Sequence, residues 1–259
     1  MQTVLFHSTI FGPIHSRRLG VSLGVNLMPD DGKVCTFDCL YCEAGYNAQG
    51  TGTTGLPTRA QVREMLEARL QKMQAEAAPL DVITFSGNGE PTLHPEFAGV
   101  IDDTIALRDR YYPQAKVSVL TNSTRAAVPA VALALRRVDN NIVKLDSAID
   151  ATFRALNRPT SPETTPESVI QSLQQFSGQA IVQTLLTRGT HNGAVIDNTT
   201  DAEIKALCDA YRRIRPRSVM LYSIDRKTPE HSLTKVGHDE LDAIAARITA
   251  ETGIPVSVA

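Results

Sequence analysis

Short apolar runs alternate with amphipathic stretches along most of the chain. Six runs have the length and the residue types of buried strands: Val21–Leu27, Asp81–Ser86, Lys116–Thr121, Asn141–Asp146, Ala180–Leu186 and Ser218–Ile224. Between them, apolar residues recur at helical spacing, which predicts helices over residues 58–77, 95–110, 125–137, 151–156, 166–176, 201–213 and 238–252. The polar segment 188–199 lacks both patterns and is predicted to be mobile.

This alternation predicts an α/β protein in which helices cover a parallel sheet. The 259 residues show neither a linker nor an internal repeat, so we expect one domain over residues 1–259. At roughly 40 residues per strand–helix unit, the chain is too short for a complete eight-fold barrel.

Composition and charge narrow the classes of function. The formal net charge of -2 disfavours broad affinity for nucleic acid, although a local basic patch would escape this count. The chain begins without the charged and apolar pattern of a secretory signal, and its longest apolar run is too short to span a bilayer. We therefore expect a cytoplasmic protein that does not bind membranes.

Three cysteines within eight residues are the strongest chemical signal. Cys35, Cys39 and Cys42 are spaced so that one loop can wrap a single inorganic centre with three thiolates. A structural zinc site takes four protein ligands, whereas a reactive centre keeps a position open. Cys208 stands alone in a predicted helix, and the sequence does not define its role. A disulfide pair, a zinc site and an electron-transfer cluster are the alternatives.

The loop resembles the Cys-x3-Cys-x2-Cys motif of the radical S-adenosylmethionine (SAM) superfamily, including the aromatic Tyr41 before the last cysteine. The resemblance implies a partial (β/α)6 TIM-like barrel that is open at its side. It also implies a 4Fe–4S cluster held by the three cysteines, with SAM on the fourth iron and Tyr41 among the cofactor contacts. A reducing donor such as flavodoxin or ferredoxin would supply the electron.

A second motif follows the second predicted strand, where ligands of parallel α/β folds gather. Its glycines permit close approach of the backbone to a ligand, and the Glu90 carboxylate can accept hydrogen bonds from an ammonium group. The alternative is a glycine turn with a surface acid. The run Gly87-Asn88-Gly89-Glu90-Pro91 resembles the Gly-Gly-Glu-Pro motif that holds the SAM amine, with Asn88 in place of the first glycine. Asn88, Gly89 and Glu90 are therefore predicted to bind the cofactor.

Polar residues also end the next predicted strands. Asn122 and Ser123 end the third, and Lys144 and Asp146 end the fourth, two residues apart and thus on one face. Their positions resemble those from which family members contact the SAM ribose and carboxylate, whereas caps and turns are the alternative.

Residues at the two ends of the predicted sheet are candidates for substrate contacts. Tyr222 and Arg226 close the last predicted strand, where the resemblance places the substrate. Arg17 and Arg18 precede the first, and an arginine fork suits a carboxylate or phosphate. We predict that Tyr222, Arg226 and Arg17 reach the substrate; solvated basic side chains are the alternative for the two arginines near the amino terminus.

Taken together, the motifs resemble the Fe–S oxidoreductase branch related to wyosine-type tRNA-modifying enzymes. The implied activity is reductive cleavage of SAM at one 4Fe–4S cluster, followed by hydrogen abstraction from a substrate that the sequence does not identify. Wyosine enzymes carry a second set of cysteines, which this sequence lacks. Activation of a glycyl-radical enzyme and tRNA modification are the alternative reactions. An iron–sulfur electron carrier or redox sensor is the alternative of another class.

Overall fold

The computed structural model describes residues 4–16 and 19–259, apart from the Ser16 side chain. In this part of the chain, the strands are β1 (Ile10–Ser16), β2 (Gly20–Val25), β3 (Val82–Phe85), β4 (Lys116–Thr121), β5 (Asn140–Lys144), β6 (Ile181–Leu185), β7 (Thr187–His191), β8 (Ala194–Asp197), β9 (Ser218–Tyr222), β10 (Thr234–Lys235) and β11 (Val256–Val258). The helices are α1 (Arg59–Ala75), α2 (Phe97–Tyr111), α3 (Pro129–Leu135), α4 (Asp150–Asn157), α5 (Pro166–Leu173), α6 (Asp201–Ile214) and α7 (His238–Thr252).

Within the described residues, eight strands form the central sheet in the order β1-β2-β3-β4-β5-β6-β9-β11. The six predicted strands are β2 to β6 and β9, and they pair with one another in parallel. The sheet ends at antiparallel β1 on one side and at parallel β11 on the other, so the barrel is open between them. The predicted partial α/β barrel is confirmed.

Helices cover the outer face of the sheet and bury their apolar residues there. In α1, Val62, Leu66, Leu70 and Met73 form the buried stripe, whereas Met65, which shares the helical spacing, is exposed. Thr58 begins this helix through a capping box with Gln61, which satisfies backbone donors at the helix start. In the described part of the chain, no helix combines the length and the apolar character that a bilayer crossing requires.

Segment 188–199 was predicted to be mobile and instead contains ordered strands. Strands β7 and β8 form a hairpin, and β10 joins it in a small three-stranded sheet. Asn192 and Gly193 turn this hairpin with positive φ at both positions, as the tightest hairpin turns require. The Asn-Gly pair was therefore a turn signal that the polar composition concealed.

The third helix begins later than predicted. Residues 124–127 form a turn, and Val128 is extended (φ -72°, ψ 122°) because the proline that follows it disfavours the helical conformation. Helix α3 then starts at Pro129, where the missing proline N–H costs nothing because the first helical donors have no partner within the helix.

Candidate active site at the carboxyl ends of the strands

The cysteine loop follows β2 and lies across the carboxyl ends of the parallel strands. Its Val34 forms a bridge with Gly89 after β3, and its Phe37 forms a bridge with Pro159 after α4. Cys35, Cys39 and Cys42 are free and partly buried; Cys35 lies between the two attachments, and the other two follow the second. Backbone pairing on both sides therefore holds the loop at the edge where ligands of such folds bind.

Gly89 makes the first attachment possible. The Val34 N–H donates to the Asn88 carbonyl (3.0 Å), and the Glu90 N–H donates to the Val34 carbonyl (2.9 Å). Gly89 itself has a φ of +142°, and a Cβ atom there would overlap the Val34 carbonyl oxygen. A side chain at this position would thus push the cysteine loop away from β3.

The Glu90 carboxylate is buried and held in one orientation. Its Oε1 accepts hydrogen bonds from the hydroxyls of Thr92 (2.5 Å) and Thr121 (2.6 Å), and its Oε2 accepts one from the Asn122 backbone N–H (2.7 Å). Burial raises the pKa of the Glu90 carboxyl, while these hydrogen bonds act against the shift. Oε2 keeps acceptor capacity for a further donor, so the group can take an ammonium ligand.

Asn122 connects this carboxylate to the cysteine loop. Its side-chain Nδ2 donates to Thr36 Oγ1 (2.8 Å) and lies 3.5 Å from Cys35 Sγ. The neighbouring Ser123 is buried, and its hydroxyl donates to the Lys144 carbonyl (3.3 Å). Asn122 therefore faces the predicted cluster, whereas the Ser123 side chain faces the backbone of β5.

Lys144 and Asp146 lie on one face, as their spacing predicted. Lys144 Nζ is 3.0 Å from Asp146 Oδ1 and also donates to the Tyr222 hydroxyl. Asp146 is fully buried, and its other oxygen accepts a hydrogen bond from the Tyr41 hydroxyl. Burial acts to lower the pKa of Lys144, but Asp146 and Tyr222 outweigh it, and the net pKa is raised. The lysine is therefore a cation at neutral pH.

Two thiols of the loop have strongly perturbed acidity. Burial, and then the charges of Glu90 and Cys39, raise the pKa of the Cys35 thiol well above its ordinary value. Burial, and then Cys42 and Asp146, raise the pKa of Cys39 to about 12. Without a bound cation these thiols stay protonated, so ionisation and metal binding are coupled.

The donor set fits a 4Fe–4S cluster. In the described part of the chain, no group of three His, Cys, Asp or Glu side chains is gathered closely enough to hold a single metal ion. A 4Fe–4S cluster places each thiolate on a different iron, so its three ligands need not converge on one point. Side-chain amides beside Cys35 and Cys39 supply the hydrogen bonds that cluster sulfurs accept in iron–sulfur sites.

A cavity of about 230 Å³ lies beside the last cysteine. Tyr41 and Cys42 line one side of it, and Tyr222 and Arg226 line another. The Arg226 guanidinium pairs with the Glu43 carboxylate at 2.6 Å. Tyr222 and Arg226 thus share one cavity, and their role toward a substrate stays a prediction.

Two other predicted site residues have different surroundings. The side-chain amide of Asn88 is fully buried, where it binds the backbone of Phe6 in both directions (2.9 and 3.0 Å) and donates to the Pro29 carbonyl (2.8 Å). It therefore fastens the amino-terminal segment to the cysteine loop. Arg17, like Arg18, lies outside the described residues.

The motifs did not reveal three residues that shape the site. Thr92 and Thr121 orient Glu90, and Asn157 lies beside Cys39. Thr121 ends a predicted strand and Thr92 follows Glu90 closely, so strand-end placement could have indicated both. Asn157 ends a helix far away in sequence, and the spacing of residues carried no sign of it.

Comparisons with known proteins agree with this geometry. The sequence pattern of the family described as "Radical SAM superfamily" matches residues 31–211. A UPF0026 protein of Helicobacter pylori is 28% identical over 234 residues, which cover 90% of this chain and 71% of that protein. A radical SAM methyltransferase from Sphaerobacter thermophilus is similar in structure, with a TM-score of 0.65 at 18% identity, over 92% of this chain and 65% of that chain. The structure of TYW1 with a lysine-pyruvate adduct bound is also similar, with a TM-score of 0.59 at 15% identity, over 88% of this chain and 73% of that chain.

The family match covers more than half of the chain, so the chain belongs to the radical SAM superfamily. Members of this superfamily use a 4Fe–4S cluster and SAM. The two predicted cofactors and the prediction of an enzyme of this class are confirmed at the level of the family. The solved structures are too distant in sequence to establish more than the fold.

Proposed function

We propose that this chain cleaves SAM reductively at one 4Fe–4S cluster held by Cys35, Cys39 and Cys42, and abstracts hydrogen from a substrate. These three cysteines would hold the cluster, which would supply the one electron needed to cleave SAM into methionine and the 5′-deoxyadenosyl radical that would take the hydrogen atom. The task of the protein is to hold cluster, SAM and substrate in line and to exclude water.

One observation carries the proposal. Asn122 donates its backbone N–H to Glu90 and directs its side-chain amide at Cys35. A single residue thereby joins the loop that would hold the cluster to the carboxylate that would bind the SAM amine. An electron carrier needs no such amine site, so this connection favours an enzyme that binds SAM.

Further residues extend the SAM site along the strand ends. The Glu90 carboxylate would accept from the amine, and Lys144 with Asp146 would lie toward the ribose and the carboxylate. The cavity lined by Tyr222 and Arg226 adjoins Cys42, so the reacting part of a substrate would enter there. Its volume of about 230 Å³ is below the roughly 300–1,000 Å³ typical of ligand pockets, so it suits a very small molecule or one group of a larger partner.

The surroundings of Cys208 favour a site with only one cluster, because this cysteine is not available as a ligand. It is fully buried in α6 and belongs to the hydrophobic core. Burial raises the pKa of its thiol to about 11, which keeps the group neutral. This cysteine packs as a small apolar residue, so three ligands remain for one cluster.

Partners and compartment follow from the chemistry of the proposal. The electron would come from a reducing protein such as flavodoxin or ferredoxin. A reducing compartment such as the cytoplasm preserves free thiols and an oxygen-sensitive cluster. The net charge of -2 disfavours RNA as a partner, although tRNA modification stays an alternative together with glycyl-radical activation.

Anaerobic assays with fractionated cell extract test the proposal. Reconstituted protein should bind about four irons per chain, and Cys208→Ala should bind as many, whereas the triple Cys→Ala variant of the loop should bind none.

The reduced protein should form 5′-deoxyadenosine faster with the fraction that contains its substrate. Acceleration by a small-molecule fraction would indicate metabolite chemistry. Acceleration by an RNA fraction would indicate tRNA modification, and acceleration by a protein fraction would indicate glycyl-radical activation. A loaded protein that never cleaves SAM is an electron carrier or redox sensor, and the proposal is then wrong.

A further inference from the structure

Asn157, the last residue of α4, is built into the cysteine loop although it belongs to none of the sequence motifs. Its carbonyl accepts a hydrogen bond from the Asp38 N–H (3.1 Å), and the Leu156 carbonyl accepts one from the Leu40 N–H (3.0 Å). The end of α4 therefore runs alongside Asp38 and Leu40, the residues on either side of the second cysteine. Its backbone fixes where the Asn157 side chain can point.

The side-chain amide of Asn157 meets three groups of the site at once. Its Nδ2 lies 2.7 Å from Asp146 Oδ2, 3.1 Å from the Tyr41 hydroxyl and 3.6 Å from Cys39 Sγ. The residue is only 1% exposed. One amide group thus lies between a predicted cluster ligand and a carboxylate of the predicted SAM site.

The carbonyl oxygen of the same side chain forms no hydrogen bond in this position. Asn157 Oδ1 is buried, and no hydrogen-bond donor contacts it within the described residues. A buried acceptor without a partner loses its hydration and gains no hydrogen bond in return. The position of the side chain is therefore set by the contacts of its amide donor, and a redox role of that donor is one explanation for the unpaired carbonyl.

A hydrogen-bond donor beside Cys39 would affect the reduction potential of a cluster bound to this cysteine. Hydrogen bonds to the sulfurs of an iron–sulfur site stabilise the more negative, reduced state and raise the reduction potential. The Asp146 carboxylate close to Cys39 disfavours an added electron, and its ion pair with Lys144 offsets part of this effect. Asn157 donates to both the sulfur and the carboxylate, so its amide fixes the distance between them.

We propose that Asn157 is a positioning residue that sets the reduction potential of the cluster and fixes Asp146 relative to Cys39. This inference rests on the proposed function, because it needs a cluster on Cys39. It gives α4 a part in electron acceptance, in addition to its packing on the sheet.

The test is a potentiometric titration of the reconstituted protein, followed by electron paramagnetic resonance. Asn157→Ala removes the donor, and the nearly isosteric Asn157→Asp replaces it by an acceptor. Asn198→Ala is the matched control: Asn198 is fully buried and donates to the Asp146 carbonyl (2.9 Å) and the Leu185 carbonyl (2.7 Å), on the backbone side of the same aspartate.

Both Asn157 variants should have a midpoint potential more negative than that of the wild type, whereas Asn198→Ala should keep the wild-type value. Wild-type potentials in both Asn157 variants would overturn the inference and leave the proposed function intact. Failure of the wild type to take up a cluster would instead overturn the proposed function. If both Asn157 variants fold but lose the cluster while Asn198→Ala retains it, the positioning role is supported.

Discussion

Lys144 Nζ lies 3.0 Å from Asp146 Oδ1 at the carboxyl end of β5. Asp146 is fully buried and the lysine side chain is 12% exposed, so water screens this ion pair little. A buried pair is costly to break, because the remaining charge keeps its desolvation penalty. The pair therefore makes the stability of the protein depend on a residue of the predicted SAM site.

We predict that Lys144→Met destabilises the protein by about 3–5 kcal/mol, since it leaves a buried carboxylate without its cation. Urea unfolding of the metal-free protein measures this loss. Adding Asp146→Asn to the same chain should restore part of the stability, because the uncompensated charge is then absent. Lys235→Met is the control, since Lys235 pairs with Asp225 at the surface and should cost at most about 1 kcal/mol.

The pH dependence of this pair follows from the raised pKa of Lys144. A cation whose pKa is raised on folding contributes its full stabilisation below the pKa of the unfolded chain. That contribution is lost only as the pH rises above the ordinary lysine value of 10.5 and through the folded value. The wild type should therefore keep this contribution across neutral pH and lose it only in strong alkali, where its stability should approach that of Lys144→Met in urea unfolding.

Glu90→Gln should weaken SAM binding at least about tenfold, because a charge-assisted hydrogen bond to the amine contributes about 1.5–3 kcal/mol. Anaerobic equilibrium binding measures the effect. Asp103→Asn is the control, since this carboxylate lies among the arginines of α1 and away from the cysteine loop. Equal affinity in Glu90→Gln and wild type would contradict the assignment of the amine site.

The affinity for SAM should also fall on acidification. Burial raises the pKa of Glu90 above the ordinary glutamate value of 4.5, so the carboxylate takes up its proton at a higher pH than a surface glutamate does. As the pH falls through this raised pKa, the group loses the charge that an ammonium ligand needs. The Glu90→Gln variant carries no such charge, so its affinity should not show this dependence.

Gly89→Ala should prevent cluster uptake, because its Cβ overlaps the Val34 carbonyl and separates the cysteine loop from β3. Iron content after anaerobic reconstitution measures uptake. Gly178→Ala provides a matched comparison, since Gly178 also has a positive φ (+73°) but nothing lies within 4 Å of the added atom. That variant should cost only about 1 kcal/mol of stability and retain the cluster. A full cluster in Gly89→Ala would show that the loop does not need this contact.

The sequence predicted the parallel strands and the placement of polar residues at their ends, because apolar runs and strand-end positions are local features. It did not predict β1, which contains Pro13, a residue that usually marks a turn. Strand β1 tolerates this proline because it lies at the edge of the sheet and its pairing with β2 is irregular between Phe11 and Ile14. The three-residue β11 was too short for its pattern to be recognised.

Contacts between residues that are distant in sequence limit how much of the candidate site the sequence can predict. Asn157 and Cys39 are 118 positions apart, so only the path of the folded chain brings them together. Asn88 shows that a residue within a motif can also have a partner that the sequence does not predict. Its motif position suggested a ligand contact, but its amide binds the backbone at Phe6, 82 positions away. Motif spacing identifies which residues stand at a site, whereas the partner of each side chain depends on the whole fold.

Reductive cleavage of SAM tests the central claim most directly. The reconstituted protein, reduced with dithionite under anaerobic conditions, is incubated with SAM, and 5′-deoxyadenosine is quantified over time. We expect slow formation of 5′-deoxyadenosine and methionine in equal amounts by the wild type and by Cys208→Ala, and none by the triple variant of Cys35, Cys39 and Cys42. A cluster-loaded, reduced wild type that forms no 5′-deoxyadenosine, or a triple variant that forms as much as the wild type, would contradict the account.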